Sequence, residues 1–88
     1  MRYISNATEG FWNCYQSLPE DIQEAADKQF ALFKSDPDHP SLRLKPIGAA
    51  WSVRVTKSYR ALARRRGDSF YWFWIGPHTE YEKLLASL

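Results

Sequence analysis

The sequence holds a single cysteine, four glycines and no long apolar run. Cys14 has no second thiol to pair with, so an internal disulfide is excluded and a cytoplasmic protein is expected. Only Cys14, His39 and His78 could supply Cys/His metal ligands, so no metal is expected, and no cofactor either. No segment approaches the roughly 20 apolar residues of a membrane span. The opening "MRYISNATEG" lacks the apolar centre of a secretory signal. There is no internal repeat and no low-complexity tract. The most informative absence is of carboxylates. Residues 39–67 carry eight basic groups and no acidic one, hence +8. Residues 1–38 carry three basic and seven acidic groups, and residues 68–88 one and three, hence −4 and −2. The net charge of +2 therefore conceals a positive block between two negative ones. Such a block marks either a polyanion site or a solvated charged face.

What is present is aromatic. A domain of 88 residues buries only about 60–65% of its unfolded surface and needs a dense core. Trp12, Trp51, Trp72 and Trp74, with five Phe and five Tyr, supply it. Residues 1–88 are read as one domain.

Periodicity orders the elements. Thr8 is a plausible N-cap for a short helix with Phe11, Trp12, Tyr15 and Leu18 on one face. Ser17 and Glu20 have capping-box spacing for a second helix, with Ile22, Ala26, Phe30 and Phe33 as its stripe. "SDPDHP" ends that helix, because Asp36 and Asp38 each precede a proline. The period then changes to two. "SLRLKPI" sets Leu42 and Leu44 against Arg43 and Lys45. "WSVRV" sets Trp51, Val53 and Val55 against Ser52 and Arg54. "YRALAR" sets Tyr59, Ala61 and Ala63 against Arg60, Leu62 and Arg64. Gly48, "TKSY" and Gly67-Asp68 are turns, and "SFYWFWI" reads as a strand covered on both faces. After a turn at Gly76-Pro77 a final helix carries Tyr81, Leu84, Leu85 and Leu88 on one stripe. The fold class is α+β: an N-terminal antiparallel helical hairpin on one face of a four-stranded, mainly antiparallel twisted sheet, then a short C-terminal helix.

This arrangement gathers Arg43, Lys45, Arg54, Arg60 and Arg64 on the sheet face away from the hairpin. Arginine presents a fixed fork of donors to phosphate oxygens, and nearby rings can stack bases. Catalysis at a phosphate further needs proton transfer, and His78 and Tyr81 stand beside the last strand as candidates. Each has a plainer reading: His78 as a surface or capping residue, Tyr81 as core. Arg65 and Arg66 read as solvated residues at a hairpin tip, His39 as loop and Cys14 as core.

"LPEDIQEAADKQFALFKSDPDHPSLRLKPI", "WSVRVTKSYRAL" and "WFWIGPHTEY" together resemble the RelE/ParE superfamily of type II toxin–antitoxin toxins. The resemblance covers nearly the whole chain and implies the same fold. In the RelE-like branch it implies a metal-independent endoribonuclease that cuts mRNA at the ribosome by attack of a 2′-hydroxyl on the adjacent phosphate. Lys45, Arg54 and Arg60 would then be catalytic or phosphate-binding cations. His78 would be the acid or base, and Tyr81 would stack or orient the nucleotide. Arg43, Lys57 and Arg64 would extend the RNA contact. The expected partners are mRNA, the ribosome and an acidic, partly disordered antitoxin encoded by a neighbouring gene. "PHTEY" departs from the commoner pattern of the nucleases. The ParE-like branch keeps this fold and poisons DNA gyrase instead, and a non-toxic nucleic-acid-binding module would also fit.

Overall fold

The structure is a computed structural model that describes residues 3–87. Leu88, expected on the final helical stripe, lies outside them. The order is β1 (Ile4–Ala7), α1 (Glu9–Gln16), α2 (Glu20–Ser35), a 3-10 turn (Pro40–Leu42), β2 (Lys45–Ile47), β3 (Ala50–Arg54), β4 (Tyr59–Arg66), β5 (Ser69–Pro77) and α3 (His78–Ser87). The expected hairpin, meander and final helix are all present.

The sheet has five strands rather than four, in the order β1-β5-β4-β3-β2. The additional strand, β1, runs parallel to β5, with Ile4 opposite Ser69 and Ala7 opposite Trp72. Nothing in "ISNA" alternates. It becomes a strand because β5 supplies partners: Trp72 donates from Nε1 to Ser5 Oγ at 2.9 Å, and the Thr8 N–H donates to the Trp72 carbonyl at 3.0 Å.

Phe11 of α1 and Ala26 and Phe33 of α2 pack with Val53, Ala61, Ala63, Phe70, Trp72 and Ile75 in one buried core. Thr8 caps α1 as expected, its Oγ1 accepting from the Phe11 N–H. The capping box does not form. Pro19 is the N-cap of α2 without a side-chain bond, because Ser17 is already the C-cap of α1. Trp12, assigned to the core by its spacing, is 48% exposed. Between the helices, the Tyr15 hydroxyl donates to Asp27 Oδ1 at 2.8 Å. That bond, with burial and the Asp27 charge adding to it, raises the Tyr15 pKa above the ordinary phenol value.

Three further departures shape the opposite face. "SLRLKPI" is not one strand. Pro40 opens a 3-10 turn that closes at Arg43 in the left-handed conformation (φ 47°), so only Lys45–Ile47 pairs with β3. The chain does not turn at Gly76-Pro77, because β5 runs through both residues straight into α3. And β5 carries a bulge: Leu62 pairs with Trp74 but Ala63 pairs with Trp72. The extra residue, Phe73, reverses the alternation. Phe70, Trp72 and Ile75 therefore face the hairpin, while Phe73 and Trp74 both join the second core.

Candidate nucleic-acid interface

The face away from the hairpin is not an open basic plane. Tyr81 of α3, with Leu84 and Leu85, packs on Ala50, Leu62, Ile47, Phe73 and Trp74. The apolar stripe of α3 thus divides the cations into groups, and Leu62, expected among them, is fully buried.

One group stands at the end where β4 and β5 meet α3. Arg54 and Arg60 are direct cross-strand partners on β3 and β4. In that register their Cβ atoms lie about 4.5–5.5 Å apart, where like charges repel. Among the described residues neither pairs with a carboxylate within 4.0 Å. Arg60 is half-buried, its guanidinium lies 5.5 Å from the centre of the Tyr81 ring, and its Nη1 is buried without a partner. Ser52, two pairs further along the ladder and so on the same face, is fully buried and its Oγ is also unpartnered. Two buried donors on this face, Arg60 Nη1 and Ser52 Oγ, thus have unused hydrogen-bonding capacity beside two facing arginines.

His78 is the first residue of α3, and its N–H donates to the Ser58 carbonyl at 2.7 Å. That bond fixes the start of α3 to the β3–β4 turn, where Lys57 is exposed. The imidazole lies 5.4 Å from the Tyr81 ring, centre to centre, and Nδ1 is 3.4 Å from Glu82 Oε1. The Tyr81 ring is thus a common neighbour of His78 and Arg60. It is 4% exposed, so in this conformation it supports both groups and offers no open face to a base.

The other expected residues fall in different places. Lys45 is exposed opposite Ser52, on the same face and diagonal to Arg54, at about 7–8 Å in that register. Arg43 leaves the sheet with the left-handed corner and shares an open groove of about 490 Å³ with Arg54, Gln29 and Thr56. Arg64 lies over Phe73 at the far end of β4, four residues from Arg60. Arg65 is exposed at the hairpin tip as expected, but it also has ring contacts. Its guanidinium packs 4.9 Å from the Tyr3 ring, 5.0 Å from Trp51 and 5.4 Å from Phe70.

Two contributors escaped the sequence reading. Glu82 lies against His78 from one helical turn away, and i,i+4 spacing is the signal that was there. Trp74 lies across Gly76, the ladder partner of Arg60. A Cβ at Gly76 would come within 2.6 Å of Trp74 Cζ2. A glycine inside an apolar strand marks such a close approach. Gly76→Ala is expected to cost about 1–3 kcal/mol by pushing the indole out of its seat, read as a lower urea midpoint. An unchanged midpoint would show that the ring moves freely.

A family model described as a ParE-like toxin domain matches residues 20–83. Among solved structures, a chain of the RelB–RelE antitoxin–toxin complex from Methanococcus jannaschii superposes with a TM-score of 0.72 at 12% identity, over 90% of this chain and 96% of that one. YafQ from Escherichia coli BL21(DE3) gives 0.71 at 7% identity, over 90% and 97%. A free-state mutant of the E. coli toxin RelE gives 0.68 at 16% identity, over 99% and 93%. No curated protein sequence matches. At these identities the likeness is one of fold.

Proposed function

Since the chain belongs to the ParE-like toxin domain family, whose model spans residues 20–83, we propose that it is the toxin of a type II toxin–antitoxin pair and acts as a metal-independent endoribonuclease on mRNA. The observation that carries this reading is the facing pair Arg54 and Arg60, linked to His78 through the Tyr81 ring and free of any carboxylate partner among the described residues. A binding surface needs only charge. An unpartnered Arg60 Nη1, with Arg60 and the His78 imidazole both against the Tyr81 ring, suits a group that becomes more negative during reaction.

In the proposed reaction the ribose 2′-oxygen attacks the adjacent phosphorus. A P–O2′ bond forms, the P–O5′ bond breaks, and the products are a 2′,3′-cyclic phosphate and a 5′-hydroxyl. The two arginines hold the non-bridging oxygens as charge accumulates. His78 protonates the departing 5′-oxygen, held in place by Glu82 and the Tyr81 ring. The 2′-hydroxyl proton passes to solvent water, and Lys45, diagonal to Arg54, stabilises the attacking oxygen as it becomes negative. Lys57 and Arg43 meet flanking phosphates. The substrate is mRNA at the ribosome, in the cytoplasm. The antagonist is an acidic, partly disordered antitoxin from a neighbouring gene, attracted by the +8 block.

Induced expression is expected to arrest growth and to create new mRNA 5′ ends, mapped by primer extension. His78→Ala should reduce cleavage by about 10²–10⁴-fold. Growth arrest with no new ends and with inhibited DNA supercoiling would replace this reading by gyrase poisoning.

A further inference from the structure

The tip of the β4–β5 hairpin carries a second group of cations, and Arg64, expected from sequence to extend a single RNA contact, belongs to it rather than to the cleavage centre. Arg64, Arg65 and Arg66, together with Ala49 and Tyr71, line an open cavity of about 550 Å³. No acidic residue contributes to the lining, and among the described residues none of the three arginines pairs with a carboxylate. They are not equivalent. Arg65 is turned to the hairpin side, where its Nε donates to the Gly67 carbonyl at 2.8 Å and its guanidinium packs among three rings. Arg64 is the ladder partner of Tyr71 and lies over Phe73. Arg66, opposite Ser69, is exposed. Tyr71 is 39% exposed, the one large ring at this end of the sheet left open to solvent by the second core.

We propose that Arg64, Arg66 and Tyr71 form an RNA-backbone site separate from the cleavage centre, the arginines taking phosphates and Tyr71 stacking a base. The separation follows from the fold. Arg64 is four strand residues from Arg60, about 13 Å, and the Tyr81–Leu84–Leu85 stripe of α3 covers the sheet between them. A strand seated at Arg54 and Arg60 cannot run flat across that stripe. The distal site therefore takes a different segment of RNA. The open ring favours RNA over an acidic peptide, because carboxylates have no use for a stacking face whereas every base does. The choice of RNA rests on the proposed activity, but the test below does not require cleavage.

The probe is a fluorescently labelled RNA hairpin, bound to the full chain carrying His78→Ala and followed by anisotropy across a salt series. Arg64→Gln and Arg66→Gln should each lower the salt slope by about one, and together weaken binding roughly tenfold. Tyr71→Ala should weaken binding about fivefold or more with the slope unchanged. Arg65→Gln, whose charge is engaged by rings, should change the slope by less than half as much. Unchanged slopes for Arg64 and Arg66 overturn the proposal. So does a loss confined to binding of a polyglutamate peptide, which would make this a protein-binding face. Arg66 is exposed, so its variant remains informative if Arg64→Gln misfolds. Retained cleavage in Arg60→Ala and His78→Ala would remove the proposed activity while leaving the distal site standing or falling on its own slopes.

Discussion

Replacing Arg60 by methionine is expected to lower RNA cleavage by roughly 10²–10³-fold while changing folding stability by no more than about 1 kcal/mol in either direction. The two effects separate because the environment of Arg60 suits a reaction better than it suits the fold. Its Nη1 is buried and unpartnered, a state that costs the folded protein the solvation of a cationic donor. Arg54 faces it directly across the ladder, which adds repulsion. Against this stands the contact with the Tyr81 ring at 5.5 Å, a stabilisation of about 0.5–2 kcal/mol. A methionine of similar length keeps the packing on Tyr81, removes the unpartnered donor and ends the repulsion, so gain and loss nearly cancel. Function has no such substitute. Without the Arg60 fork the phosphorane loses one of its two facing cations. Arg60→Lys should recover only part of the rate, since an ammonium restores charge but not the planar pair of donors. Urea midpoints beside mapped cleavage rates distinguish the cases. A fall of more than about 2 kcal/mol would make Arg60 a structural residue, and an undiminished rate would remove it from the site.

The elements that sequence made legible are those whose signals are local. Gly48 and Gly67 both have positive φ in the structure, at the β2–β3 and β4–β5 turns, and β3 and β4, joined by "TKSY", pair in the register that the alternation of Trp51, Val53, Ala61 and Ala63 requires. The Ile22–Phe33 stripe faces the core because a period of 3.6 leaves one apolar face and only one place to bury it. What was illegible depended on partners far along the chain. β1 has no alternation of its own and is held by residues more than sixty positions away. The bulge at Phe73 could not be seen inside "SFYWFWI", since a run that is apolar on both faces gives no parity to violate. The stripe of Tyr81, Leu84 and Leu85 was visible, but not its seat on Leu62, and this seat is what divides the cations of the basic face into two groups. Arg65 is exposed as read, but its ring contacts could not be foreseen, because Tyr3, Trp51 and Phe70 come from three separate segments. The facing pair Arg54 and Arg60 was the part of the candidate site most fully readable, since hairpin register alone brings it together.

Trp72→Ala is expected to destabilise the fold by about 3–5 kcal/mol or more and to leave the chain largely unfolded at 37 °C. The indole is 1% exposed and joins every layer on the hairpin side. It meets Phe30 and Phe33 of α2 edge-on at 5.0 and 5.4 Å and stacks with Phe70 of its own strand at 5.9 Å. Its Nε1–H donates to Ser5, so truncation also strips β1 of a bond at the edge where that strand has no alternation of its own to hold it. Domains of this size are stable by about 0.05–0.15 kcal/mol per residue, roughly 4–13 kcal/mol in all, so one such loss consumes a large part of the margin. Trp74→Ala makes the contrast. That ring is only half-buried and lies over Gly76 at the rim of a cavity of about 450 Å³, so its removal should cost less than half as much. Thermal unfolding followed by far-ultraviolet circular dichroism checks both. If the two variants lose comparable stability, the core does not centre on Trp72. If Trp74→Ala also abolishes cleavage in a folded protein, the ring across from Arg60 belongs to the functional site rather than to its support.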